Sequence, residues 1–212
     1  MTKKIKSRCI ISSAAFAVKK SLITQYDPLI QKPPVIGDLV FGEVSTLGHH
    51  SIIESKSSRK HTLNVGTRAI FVFGNRYAPD QFEGIVPKLS QEFVDLFSQG
   101  GVIGNVKTQS QLIGVPTKIK VLGYVCDNRG NVINTTKHKL INPNNDKKNK
   151  GRAKLILCVG TSMNSGKTHA AAACCYAISS MGKSSRAAKI TGTASLKDIL
   201  LMNDCGADHV ID

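Results

Sequence analysis

"VGTSMNSGKTHA" (residues 159–170) decides how this chain folds and what it handles. Gly160 opens the stretch, five mostly small or polar residues follow, and Gly166, Lys167 and Thr168 close it. It is either a flexible turn that happens to hold a lysine or a loop shaped around a phosphate. The phosphate reading sets three conditions: a strand delivers the chain, the loop turns tightly, and a helix begins at the lysine. Glycines then let successive N–H groups point inward, and the helix N-terminus adds partial positive charge. Lys167 reaches the β- and γ-phosphates, and the Thr168 hydroxyl holds Mg²⁺. Gly160, Thr161, Asn164, Ser165 and Gly166 complete the cradle, with the backbone N–H groups of 164–168 facing the ligand. The general pattern G-x-x-x-x-G-K-[ST] puts its first glycine where Thr161 stands; here that glycine comes one residue earlier.

The flanks meet the conditions. "KLILCVG" (154–160) is a continuous apolar run, as in a strand buried on both faces. "THAAAACCYAISSMG" (168–182) is alanine-rich and stops at Gly182, which predicts a helix. "SSRAAKI" (184–190) predicts a second strand, and "SLKDILLMNDCG" (195–206) a helix capped by Ser195 and ended by Gly206. "DHVID" (208–212) begins a third strand. The order βαβαβ predicts an α/β domain over 154–212, the first part of a parallel P-loop sheet with right-handed crossovers.

"GTSMNSGKT" resembles the phosphate loop of the dethiobiotin synthetase family, G-T-D-T-x-x-G-K-T, within the wider class of MinD-like and cobyric-acid-synthase-like P-loop ATPases. It is also similar to bacterial proteins that share "GTSMNxGKT" and a following "KxTGT". Lys189 in "AAKITGT", 22 residues after Lys167, looks like the family's phosphate-facing lysine, and Thr193 like its small hydroxyl residue. The resemblance spans residues 154–193 and implies Mg-ATP as the bound nucleotide. It further implies activation or phosphorylation of an oxygen nucleophile such as a carboxylate on an unidentified small molecule, with Lys167 and Lys189 on the phosphates. Ser162 and Met163 replace the family's Asp and Thr, and Asn164 stands where an acidic residue is common, so dethiobiotin synthesis itself is not expected. Residues that would select ATP over GTP lie downstream of the motif.

A domain of this class uses a later acidic residue for Mg²⁺ and further strands. Only 44 residues follow Thr168, which favours a C-terminally truncated domain over one completed by a partner, such as a second copy in a homodimer, or an unusual minimal version. Asp198 and Asp204 are expected on a solvated helix face, and Asp208 and Asp212 carry no assignment.

Residues 1–147 read differently. "GDLVFGEVSTLG" (37–48), "HSIIES" (50–55), "KHTLNVG" (60–66), "RAIFVFGN" (68–75), "GVIGNVKTQ" (101–109) and "TKIKVLGYVC" (117–126) are rich in β-branched and aromatic residues and bounded by turn formers. "DNRGNVINT" (127–135) predicts a hairpin turn into another strand. "SQEFVDLFSQGG" (90–101) predicts the one helix, capped by Ser90 with a Phe93, Leu96, Phe97 stripe. Short strands without alternating helices predict a small antiparallel β barrel or sandwich. Turn formers and lysines over 137–152 mark the connection, with the linker placed at 148–153.

"FGNRYAPDQFEG" (73–84) concentrates Asn75, Arg76, Tyr77, Asp80, Gln81 and Glu83, either as a selectivity loop or as a loop held by an Arg76–Asp80 or Arg76–Glu83 ion pair. The adjacent His49 and His50 would face opposite sides of a strand, against joint metal ligation. His169 opens the first turn of the predicted helix after the loop and is expected to face solvent.

Net charge is +15, most of it in the first half: residues 1–150 hold 22 Lys and Arg against 10 Asp and Glu. That balance raises a rival reading, a basic β domain that binds nucleic acid or a phosphorylated ligand without catalysis. Aromatic residues are only 5% and Trp is absent, which weakens a stacking surface. No apolar run approaches the roughly 20 residues that span a bilayer, so no membrane partner is expected. The basic start followed by Cys9–Val18 is a poor signal peptide, since Ser12 and Ser13 interrupt it and Lys19 and Lys20 follow. Six cysteines without a CxxC pair or a His partner fit reduced thiols in the cytoplasm.

Overall fold

A computed structural model describes residues 2–6, 8–138, 153–192 and 195–211. The chain separates into two compact units, Met1–His138 and Lys139–Asp212. The predicted linker at 148–153 lies outside the described residues except for Ala153.

The first unit holds strands β1 (Lys3–Lys4), β2 (Ile10–Ile11), β3 (Gln25–Asp27), β4 (Leu39–Thr46), β5 (Ile52–Glu54) and β6 (Lys60–Thr62). β7 (Arg68–Phe73), β8 (Phe82–Ile85), β9 (Phe93–Leu96), β10 (Val102–Gln109) and β11 (Thr117–Cys126) follow. Five of them close a ring. β4 pairs with β7, β7 with β10, β10 with β9, β9 with β11, and β11 returns to β4. β3 extends the sheet from β11, with β1 beyond it, and β8 lies against β10. β5 and β6 form a separate hairpin.

The period of two along each strand decides what lies inside the ring. Val40 and Val44, Ala69, Phe71 and Phe73, Val94 and Leu96, Ile103, Ile119 and Tyr124 form one buried cluster, drawn from all five ring strands. The alternate positions Leu39, Phe41, Ile70, Val72 and Val125 form a second cluster with Ile11, Ala15, Val18 and Ile23. The N-terminal segment therefore covers the outside of the ring. This is why "AIFVF" in β7 is apolar at every position: both faces are buried. Phe71 is fully enclosed, and truncating such a ring to alanine costs about 3–5 kcal/mol.

The second unit holds helix α1 (Lys167–Ser180), strand β12 (Arg186–Ala188), helix α2 (Lys197–Asp204) and strand β13 (His209–Ile211). β12 and β13 run parallel, Ala187 opposite Val210. The core is small: Ala172 and Cys175 of α1, Met202 of α2 and Ala207, with Ala187, Ile199 and Val210 packed against them.

Three expectations are corrected. The architecture is not an antiparallel β domain followed by an α/β parallel P-loop sheet. Among the described residues strand outweighs helix, 34% against 16%, and the large sheet is mixed, because β7 runs parallel to both β10 and β2. The predicted strand at 154–160 does not form: residues 153–160 carry no strand, and Leu155 (88% exposed), Leu157 and Val159 stand in solvent. A parallel strand buried on both faces needs neighbours beside it and helices above and below. Here the described parallel ladder of the second unit has two short strands, and their core is too small to enclose a third. The helix predicted over 90–101 is instead β9. Val94 and Leu96 alternate into the ring core, and pairing to β10 and β11 satisfies the backbone that a helix would have satisfied internally.

Candidate functional site

The glycine-rich stretch ends at helix α1, and its shape follows from two residues with positive φ. Gly166 precedes the helix at φ +84° and Asn164 sits at φ +60°, so the chain reverses within a few residues before the first helical turn. The Gly166 carbonyl accepts the Ala170 N–H at 2.9 Å, the first regular bond of α1. The N–H groups of a helix's first turn have no partner within the helix, so those of α1 face the same side as the loop.

Lys167 is half-buried and turns back over this loop. Its ammonium donates to the Ser162 carbonyl and to Ser165 Oγ, the latter at 3.1 Å. Gly160 borders the same place: a Cβ there would meet Ser165 Oγ at 2.2 Å and Lys167 Cγ at 3.0 Å. Gly160, Ser162, Ser165 and Lys167 are thus brought together, and the misplaced first glycine has a steric role where it stands. Thr161 and Asn164 are exposed on the same loop, Thr168 is half-buried in the first turn of α1, and His169 is exposed.

This cradle fits a phosphate group. It presents one ammonium, several hydroxyls and a helix N-terminus, and no carboxylate belongs to residues 160–168. Mg²⁺ fits as well, since it keeps several waters and takes phosphate oxygens, needing only one or two ligands from the protein. Thr168 offers such a ligand. Among the described residues no group of three or more His, Cys, Asp or Glu could hold a metal alone.

Lys189 follows β12, and its N–H donates to the Ile211 carbonyl at 2.8 Å. Its ammonium is 2.6 Å from Asp198 Oδ2, with the two side chains only 19% and 33% exposed. Asp198 therefore does not sit on a solvated face as expected; it holds the lysine. Thr193 and Asp212 lie outside the described residues. Asp208 accepts from Ser184 Oγ at 2.7 Å and from the Ser185 N–H at 2.8 Å, which hold its carboxyl below the ordinary range.

In the first unit, the 73–84 loop is tied down by hydrogen bonds from several of these side chains. Arg76 donates to the Phe97 carbonyl and to Gln81 Oε1 at 3.0 Å. Asn75 Oδ1 accepts the Val86 N–H, and Glu83 accepts from Thr108 Oγ1. These contacts make the loop a brace for β8, with Tyr77 turned outward at 81% exposure. His49 and His50 lie 5.0 Å apart, and both meet the edge of Phe82.

Sequence reasoning missed Asp198 as a partner of Lys189 and His50 as a buried group. Neither carries a local signal, since both depend on which segments pack together. No helix among the described residues is long and apolar enough to cross a membrane. No family model, curated protein or solved structure matches this chain.

Proposed function

We propose that residues 160–168 bind the phosphates of a nucleoside triphosphate as its Mg²⁺ complex, with Mg-ATP the first ligand to try and Mg-GTP the second. The observation that carries this reading is Lys167, folded over a glycine-shaped loop at the start of a 14-residue helix. A phosphate oxygen would take over the ammonium's hydrogen bonds from the Ser162 carbonyl and Ser165 hydroxyl. The exchange favours the ligand because an ammonium against a phosphate oxygen pairs two opposite full charges, where the carbonyl and hydroxyl offer only dipoles.

When bound, Mg-ATP supplies a transferable phosphoryl group. The chain's own part is positioning and charge neutralisation: Lys167 at the β/γ-phosphates, Thr168 as the hydroxyl ligand toward Mg²⁺, and the first-turn N–H groups at the phosphate oxygens. The reaction class we propose is transfer to an oxygen nucleophile, such as a carboxylate, on a small molecule.

Thermal unfolding with and without Mg-ATP and Mg-GTP tests the binding step, with Lys167→Ala as the control. A ligand at a hundred times its dissociation constant stabilises the state that binds it by about 2.7 kcal/mol. The expected result is a rise in the midpoint that Lys167→Ala loses. Equal shifts in both proteins would place the nucleotide elsewhere, and no shift with either nucleotide would remove the proposal.

A further inference from the structure

We infer that Asp198 competes with the bound nucleotide for Lys189, so that the ion pair sets how tightly the phosphates are held. The inference rests on the phosphate reading of residues 160–168. It begins from a contact, the 2.6 Å ion pair between Lys189 and Asp198, and from where the fold puts it.

α1 runs away from the loop, the chain turns over residues 181–185, and β12 returns along the helix. Ala187 in the middle of β12 packs into the core that holds Ala172 and Cys175 of α1. Two residues further, Lys189 has advanced by about 6–7 Å along an extended chain. A helix rises about 1.5 Å per residue, so the same distance along α1 leads back by roughly four residues. That brings the backbone of Lys189 level with the first turn of α1, where Lys167, Thr168 and the loop lie. A lysine side chain leaving that point reaches either the phosphate cradle or the first turn of α2, where Asp198 sits.

Asp198 Oδ2 already holds the ammonium at 2.6 Å, so a phosphate has to compete with it for the lysine's charge and donors. Asp198 holds it with both side chains mostly out of solvent, which makes the pair stronger than one on an open surface. A phosphate that takes Lys189 must first displace the carboxylate. The apparent dissociation constant is then the intrinsic one divided by the fraction of Lys189 that is released. If about a tenth to a fifth is released, binding is weakened about five- to tenfold by Asp198.

The test is equilibrium titration of Mg-ATP into the full chain and its variants, with unliganded thermal midpoints recorded alongside. Asp198→Asn is expected to bind about five- to tenfold more tightly than wild type, although it loses an ion pair. Asp198→Glu, which keeps the competitor, should stay near wild type. In Lys189→Ala the Asp198→Asn change should have no further effect on affinity, which a merely structural role for Asp198 would not predict. Unchanged or weaker binding in Asp198→Asn would overturn the competition while wild-type binding, lost in Lys167→Ala, kept the loop reading intact. No binding by wild type would overturn both.

Discussion

His50 and Arg76 converge on one acceptor, the carbonyl oxygen of Phe97, which lies 2.7 Å from His50 Nε2 and also takes a bond from the Arg76 guanidinium. The arrangement requires a neutral imidazole donating through Nε2, since a second positive charge would stand beside Arg76 in a buried place. Burial above all, with the charges of His49 and Arg76 adding to it, pushes the His50 pKa down to about 4. The ordinary value is 6.5, so between the two the unfolded chain takes up a proton that the folded chain refuses. Stability of the first unit is therefore full above pH 6.5 and falls as the pH drops toward 4, by on the order of 2–3 kcal/mol. Urea midpoints across pH 4–7 should show this slope in wild type, and His50→Gln should flatten it.

Asn134 ties the C-terminal end of the first unit to the segment that leads into β4. Its Nδ2 donates to the Ile36 carbonyl at 2.9 Å and to Asp38 Oδ1 at 3.0 Å, while its Oδ1 accepts from the N–H and hydroxyl of Thr136. Asp38 is itself buried and also meets Lys32 and the Val35 N–H. Asn134→Ala leaves the carboxylate short of a donor, and the expected loss is about 2–3 kcal/mol in denaturant unfolding. Asn134→Asp should be worse at neutral pH, because it places a second carboxylate against the first, and should recover on acidification.

Two glycines of the loop separate by mechanism. Gly160→Ala puts a Cβ into Ser165 Oγ and Lys167 Cγ, so it should displace the lysine and weaken Mg-ATP by about tenfold or more, the range of a lost charge-assisted bond. Gly166→Ala meets no atom, but φ +84° strains any side chain by about 1–2 kcal/mol, so its effect should fall on the stability of α1. Titration and helix content measured on both variants would show the split; equal losses of affinity without loss of helix would contradict it.

Thr168 bears on the metal. If its hydroxyl is the protein's ligand to Mg²⁺, Thr168→Ala should lose most of the dependence of nucleotide affinity on Mg²⁺, whereas Thr168→Ser should keep it. A metal dependence unchanged in Thr168→Ala would assign the ion to other groups.

The helices were legible because their signals are local. An alanine-rich run closed by Gly182 gave α1 to within two residues, and Gly206 marked the end of α2. "TKIKVLGYVC" gave β11 at its observed bounds. The segment around Phe93 was not legible, since Phe93, Leu96 and Phe97 fit a helical stripe while Val94 and Leu96 fit a strand, and only ring closure with β10 and β11 decides between them. "KLILCVG" misled for the opposite reason: its composition suits a buried strand, but no composition supplies the neighbouring strands. In the site, the meeting of Gly160, Ser165 and Lys167 followed from the motif's spacing. The partner of Lys189 did not, because Asp198 reaches it only through the packing of α2 on β12.

Nucleotide binding at residues 160–168 is read most directly from the shift of backbone amide resonances in the 22.8 kDa chain as Mg-ATP is added. The largest changes are expected on the amides between Gly160 and Thr168, with smaller ones at Lys189 and Asp198, and Lys167→Ala should abolish them. Saturating Mg-ATP that leaves the amides of Gly160–Thr168 unmoved would contradict binding at this loop, whatever else in the chain responds.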